Sequence, residues 1–129
     1  MGVGLGNAAP ALIAAMIIGE TTTDFTTGNA YLGVGDDTTA YASSQTDLVA
    51  ATNKLRKGMY SGSYPSRSGA VLTFKSTFLD AEAVWDWREV GIFNAAAAGT
   101  MLTRDVPASS LGPKPSNQTW DLTVALTLS

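Results

Sequence analysis

The chain has no cysteine and no histidine among its 129 residues. The first absence excludes a disulfide framework and a thiolate zinc site. The second removes the commonest general base and the commonest metal ligand. Charge is scarce as well: 15% of the residues are Asp, Glu, Lys or Arg, against roughly 25% in an average soluble domain. Positive charge is missing altogether from the first 53 residues, which carry Glu20, Asp24, Asp36, Asp37 and Asp47 and no Lys or Arg. Long apolar runs are missing too. The one candidate, residues 8–18, is about half the roughly 20 residues needed to cross a bilayer. No basic residue precedes it, as a secretory signal would require. No membrane association is expected, and the chain should be cytosolic when made.

Set against these absences is a hydrophobic fraction of 45%. In a chain of this length that suffices for one domain with a buried core, spanning residues 1–129 with an N-terminal arm and helix over about 1–20. From Lys54 onward the balance of charge reverses, with eight basic and six acidic residues. Two readings are open: the acidic half of one subunit meets the basic half of another, or these are ordinary solvated surface charges. A net charge of −3 and scattered bases argue against nucleic-acid binding.

The first expected element is a helix over the apolar run. Asn7 is a suitable N-cap, Pro10 falls in the first turn, and Gly19 is placed to end the helix in a left-handed conformation. Leu12, Ile13, Met16 and Ile17 form its apolar stripe, widened by Ile18. The helix has no charged face, so the stripe packs on its own sheet or partly on a neighbouring subunit. The glycines at positions 2, 4 and 6 read as a flexible start, and residues 21–29 as a loop or edge. Residues 30–35 read as a strand and Asp36-Asp37 as a turn. A short helix over 45–51, capped by Ser43 or Ser44, is followed by a strand-like alternation in NKLRKGMY. Residues 60–69, rich in Gly, Ser and Pro, read as an exposed loop carrying Tyr60 and Tyr64.

From residue 70 the pattern is β throughout. Over 70–79, Leu72, Phe74 and Phe78 share a face opposite Thr73, Lys75 and Thr77. A strand over 84–94 would place Trp85, Trp87, Glu89, Gly91 and Phe93 on one face, with Asp86, Arg88, Val90 and Ile92 on the other. Strands follow over 100–106 and 118–128, the last with Trp120, Leu122, Val124, Leu126 and Leu128 facing one way. The expected fold is mainly β: a small antiparallel β-sandwich with one short N-terminal helix. Its core residues include Trp85, Trp87, Glu89, Phe93, Trp120, Leu122 and Val124. The candidate interface residues are Leu12, Ile13, Met16, Ile17, Tyr60 and Tyr64.

No motif assigns catalysis. The adjacent Asp36 and Asp37 diverge on an extended chain, the GDDTT segment lacks calcium-loop spacing, and neither a phosphate-binding loop nor a nucleophile elbow is present. No metal and no cofactor are expected. Glu89 is the one unusual acid, since a carboxylate among aromatic residues must be paired or hydrogen-bonded. It is a structural partner of an arginine such as Arg104, an acceptor of backbone N–H groups at a bulge near Gly91, or a catalytic acid without a visible co-worker.

Three stretches, residues 31–57, 85–106 and 111–129, taken in order resemble small virion structural proteins of tailed bacteriophages. They carry a Gly-Val-Gly-Asp strand end, Gln-Thr-Asp-Leu, a basic stretch and a tryptophan segment running into Glu-x-Gly-x-Phe-Asn. Gly-Thr-Met-Leu-x-Arg and a closing Trp-x-Leu-Thr strand complete the series. The stretch at Glu89 is also similar to the N-terminal module of tail-collar fibre proteins, whose long shaft is not expected here. The resemblance implies a non-enzymatic capsid decoration or cement protein, or else a tail adaptor or fibre-attachment protein. Its partners would be copies of itself, as in a homo-oligomer such as a trimer, and major capsid or tail proteins; its location would be the virion. A receptor- or glycan-binding module using Tyr60 and Tyr64 is a further alternative.

Overall fold

A computed structural model describes residues 2–4, 10–20 and 23–128. Two four-stranded sheets face each other, and the fold is mainly β with one short helix. The first sheet has the order β1 (Gly2–Gly4), β8 (Trp120–Thr127), β5 (Val71–Phe78) and β4 (Ser66–Ser68). The second has the order β3 (Lys54–Gly58), β2 (Tyr31–Gly35), β6 (Glu89–Phe93) and β7 (Met101–Asp105). Every pairing is antiparallel except that of β1, which lies parallel to the C-terminal half of β8. The expected Asn7 cap lies outside the described residues.

Alternation decides what each sheet buries. In the first sheet, Leu72, Phe74, Ser76 and Phe78 are in register with Leu126, Val124, Leu122 and Trp120. Phe74, Phe78, Leu122, Val124 and Leu126 are buried there. Leu32, Val34, Val90 and Ile92 of the second sheet join the same core. Trp87 anchors one end, edge-to-face with Phe78 at 5.0 Å and with Trp120 at 5.2 Å, its indole N–H donating to the Ala83 carbonyl. Such aromatic pairs contribute about 0.5–1.5 kcal/mol beyond the area they bury.

The helix α1 (Pro10–Ile17) ends as its sequence specifies. Gly19 has φ +73°, and its N–H bonds the Met16 carbonyl while that of Glu20 bonds the Ala15 carbonyl. That pair of bonds satisfies carbonyls which the end of a helix otherwise leaves open. Leu12 and Ile13 pack against the sandwich core, so the helix rests on its own domain.

Six expectations need correction. Gly2–Gly4 is a strand, β1, and not a flexible start. Residues 45–51 form no helix, because the N–H groups of Val49 and Ala50 donate to the Glu89 carboxylate instead of to helical carbonyls. The 60–69 loop contains β4, whose hairpin into β5 turns at Gly69, φ +57°. Regular strand begins at Glu89 and not at residue 84, because residues 85–87 bond to residues 111–114. Trp87 therefore enters the core between the sheets while Glu89 and Phe93 lie on the opposite face of β6. Val90 and Ile92, expected with the charged residues, are core. Trp85 and Trp120 are half-buried and pack against that core from its margin.

Candidate interaction surface

The outer face of the second sheet is covered, and glycines set the geometry of the cover. Register places Arg56, Gly33, Gly91 and Arg104 in one row across β3, β2, β6 and β7, with Gly35 opposite Glu89 in the next. The two central glycines leave a furrow in which the Phe93 ring lies. A Cβ on Gly33 would come within 2.8 Å of that ring, and one on Gly91 within 2.7 Å. The Arg56 guanidinium covers the ring at 3.6 Å from its centroid, and Leu48 and Met101 close the cluster. A Cβ on Gly35 would meet the Cγ and Cδ atoms of Glu89 at 2.9 Å. The glycines are therefore there for close approach, and alanine fits at none of the three.

Glu89 is fully buried and wholly engaged. Its Oε1 accepts from Arg104 Nε and Val49 N–H, each at 2.8 Å, and its Oε2 accepts from Ala50 N–H at 2.9 Å and Asp37 N–H at 3.3 Å. Arg104, also fully buried, donates through Nη1 to the Thr39 carbonyl at 2.8 Å and to Gln45 Oε1 at 3.1 Å. Its Nη2 lies 3.9 Å from Asp37 Oδ1. One ion pair thus fastens residues 37–50 over β6 and β7. A lone buried charge costs several kcal/mol, and this arrangement compensates both charges with fixed donors and acceptors. The expected arginine partner is the right one. The N–H donors come from the covering loop and not from a bulge at Gly91; the register shift falls between Ile92 and Phe93.

The charge asymmetry along the sequence is met inside the chain. Asp47 bonds both Lys54 and Arg56 at 3.0 Å, Glu82 bonds Lys57 at 2.8 Å, and Asp37 and Glu89 face Arg104. Burial pushes the Asp47 carboxyl up, but hydrogen bonds from Lys54, Arg56 and the Leu48 N–H outweigh it and hold it below the usual carboxylate range. Glu82 is held low by Lys57 and by the Leu79 N–H. Asp105 is the exception: burial raises it, with only the Val106 N–H opposing. Lys114, buried, turns its ammonium onto the carbonyls of Leu79 and Asp80 at 2.8 and 3.0 Å. Among the described residues no group of His, Cys, Asp or Glu is arranged to hold a metal ion.

The candidate interface residues divide. Leu12, Ile13 and Met16 are half-buried under α1, whereas Ile17 is 78% exposed and its neighbour Ile18 72%. Beside them is an apolar cavity of about 270 Å³, walled by Ile13, Met16, Phe25, Leu72, Leu102 and Leu126 among others. It opens between the helix and strands of both sheets. Tyr60 and Tyr64 meet edge-to-face at 6.4 Å, and the Lys75 ammonium lies 4.2 Å from the Tyr60 ring. Tyr60 is 57% exposed, but the ammonium already occupies a position over its ring. Phe25, Leu102 and the glycine furrow were absent from the candidates read in the sequence. For the furrow a signal existed, since glycines at alternate strand positions mark close approach.

Comparison of the chain with family models, with curated proteins and with solved structures found no match.

Proposed function

We propose that the chain is a structural protein of a tailed-phage virion, a non-enzymatic β-sandwich that binds the particle surface in many copies, as a capsid decoration or cement protein does. The observation that carries the proposal is the adjacent pair Ile17 and Ile18, standing out of the molecule beside an apolar cavity. Isolated exposed apolar residues are ordinary, but two together at the rim of an apolar hollow form a contact surface. Fully burying each contributes about 1.5–3 kcal/mol.

Two further features support the proposal. The segments that resemble phage proteins meet physically: the Gly-Val-Gly of β2, the Gln-Thr-Asp-Leu of the covering loop, the Glu-x-Gly-x-Phe of β6 and the arginine of β7 make the furrow and clasp on the second sheet. Together these segments lock one sheet of a small sandwich. Further, the acid that stood out in the sequence has all its acceptor positions taken by fixed donors. The test is co-sedimentation of the chain with phage particles assembled without it. Wild type is expected to saturate a fixed number of sites, and Ile17→Ser/Ile18→Ser to bind at least about ten-fold more weakly with its fold unchanged. Equal binding by the two would refute the α1 contact. Specific binding on a glycan array, with none to particles, would favour the receptor module instead.

A further inference from the structure

A cavity of about 380 Å³ opens where β7 ends. It is lined by Thr38 and Tyr41 of the loop after β2, by Arg88 just ahead of β6, and by Asp105 and Pro107, among others. The backbone holds its walls. Arg88 N–H bonds the Gly35 carbonyl at 2.8 Å, and Arg104, next to Asp105, holds the Thr39 carbonyl at 2.8 Å. The buried clasp thus ties the loop that carries Tyr41 to β7. Two opposite charges line the cavity, and neither is satisfied. The Arg88 guanidinium approaches Asp86 only at 3.6 Å, through Nη1, while Asp86 is itself bonded by the Ser110 hydroxyl. Arg88 Nε has no hydrogen-bond partner among the described residues. Asp105 has no cationic partner among them, and burial works against its ionisation. An acid held in this way takes stability from the fold at neutral pH. Groups that cost stability in a cavity are characteristic of places where a ligand binds.

We propose that this cavity is a saccharide-binding site, in which hydroxyls of a neutral sugar bridge Arg88 and Asp105 and one face of the sugar ring lies on Tyr41. The unpaired groups define what they need: Arg88 offers donors and no acceptor, and the Asp105 carboxylate offers acceptors and no donor. A hydroxyl does both, so adjacent hydroxyls on one ring can donate to Asp105 and accept from Arg88. A lone anion would gain from Arg88 but meet the charge of Asp105, and a lone cation the reverse. The Tyr41 ring is half-buried and is paired with no other ring or cation among the described residues. It therefore keeps a face for the apolar C–H side of a sugar. The Tyr60 ring does not, because the Lys75 ammonium lies over it. The volume falls within the roughly 300–1,000 Å³ of small-molecule sites. The cavity under α1 reaches β7 at Leu102, and this one reaches it at Asp105. The two sites therefore stand or fall separately.

The probes are glucose, galactose, mannose, N-acetylglucosamine, lactose and maltose, with inorganic phosphate and methylammonium as single-charge comparators. Each is titrated to tens of millimolar into the isotope-labelled full chain and followed by its amide NMR signals. At least one sugar is expected to bind with a millimolar Kd and to shift the signals of Tyr41, Arg88 and Asp105 together. Tyr41→Ala and Asp105→Ala should each weaken that binding about ten-fold or more. Asp105→Ala should do so without lowering the unfolding midpoint, which separates loss of the site from loss of the fold. Tyr60→Ala should bind as the wild type does. Four outcomes would overturn the proposal: no sugar shifting those signals, Asp105→Ala binding as tightly as wild type, phosphate or methylammonium binding there as tightly as any sugar, or Tyr60→Ala losing the binding. The third would make the cavity a plain ion site, and the last would move the sugar to the Tyr60–Tyr64 pair.

Discussion

At the scale of single residues, the buried pair of Glu89 and Arg104 dominates. Arg104→Met removes one partner and leaves a carboxylate with no countercharge in the interior, so unfolding free energy is expected to fall by about 3–5 kcal/mol in urea titrations at pH 7. In many proteins an apolar replacement of both partners restores stability. Here Glu89→Leu/Arg104→Met should not, because the N–H groups of Asp37, Val49 and Ala50 would lose their acceptor at about 1–3 kcal/mol for each left buried and unpaired. A double variant as stable as wild type would contradict that assignment. Gly91→Ala tests the furrow on the same face. The new methyl group meets the Phe93 ring at 2.7 Å and Leu48 at 3.3 Å, and overpacking of this kind costs about 1–3 kcal/mol. An unchanged denaturation midpoint would show that the ring moves aside freely.

At the scale of elements, loops are held to strands by carboxylates whose titration has a sign that can be worked out. Asp47 ties the covering loop to β3, and Glu82 ties the turn after β5 to the same strand. Both carboxyls are held below their ordinary values, so their stabilisation is present above pH 4 to 5 and is lost as pH falls through the lowered folded-state pKa. Asp105 acts in the opposite sense: burial raises it, so the folded state loses stability as this group ionises. Asp105→Asn is expected to raise the melting temperature at pH 7 and to leave it unchanged at pH 3, whereas Glu82→Gln should lower it at pH 7 and flatten the acid limb. Melting curves at a series of pH values check both signs. The strands themselves were readable from the sequence wherever one face is buried, as in β5 and β8, because the period of two survives there. They were misread in β6, where both faces are covered and alternation no longer separates inside from outside. The helix expected over 45–51 failed for a related reason. A carboxylate 40 residues away in sequence takes the N–H groups that a helix would have used, and such a long-range competitor leaves no local trace. The glycines of β2 and β6 were visible, but their purpose depends on register between strands far apart in the chain.

At the scale of the whole molecule, the charges that the sequence segregates are brought together within one chain, by Asp47 with Lys54 and Arg56 and by Asp37 with Arg104. Attraction between unlike halves of neighbouring subunits is then not needed, and the exposed apolar end of α1 is left as the feature best suited to contact. Raising salt from low to moderate concentration should therefore change particle binding little, because screening weakens exposed ionic contacts far more than apolar burial. A steep loss of binding with salt would return the contact to the charged residues. The scarcity of charge leaves a surface in which small, uncharged residues such as threonine, serine, alanine and glycine are frequent, and these can be buried at less desolvation cost than charges. The most direct measurement of the proposed role is the number of copies of this chain per particle, by quantitative mass spectrometry of particles purified from the cells in which the chain is made. A decoration protein is expected in a fixed, high copy number that scales with the major capsid protein. Absence of the chain from the particle, with the chain abundant in the infected cell, would contradict the proposal.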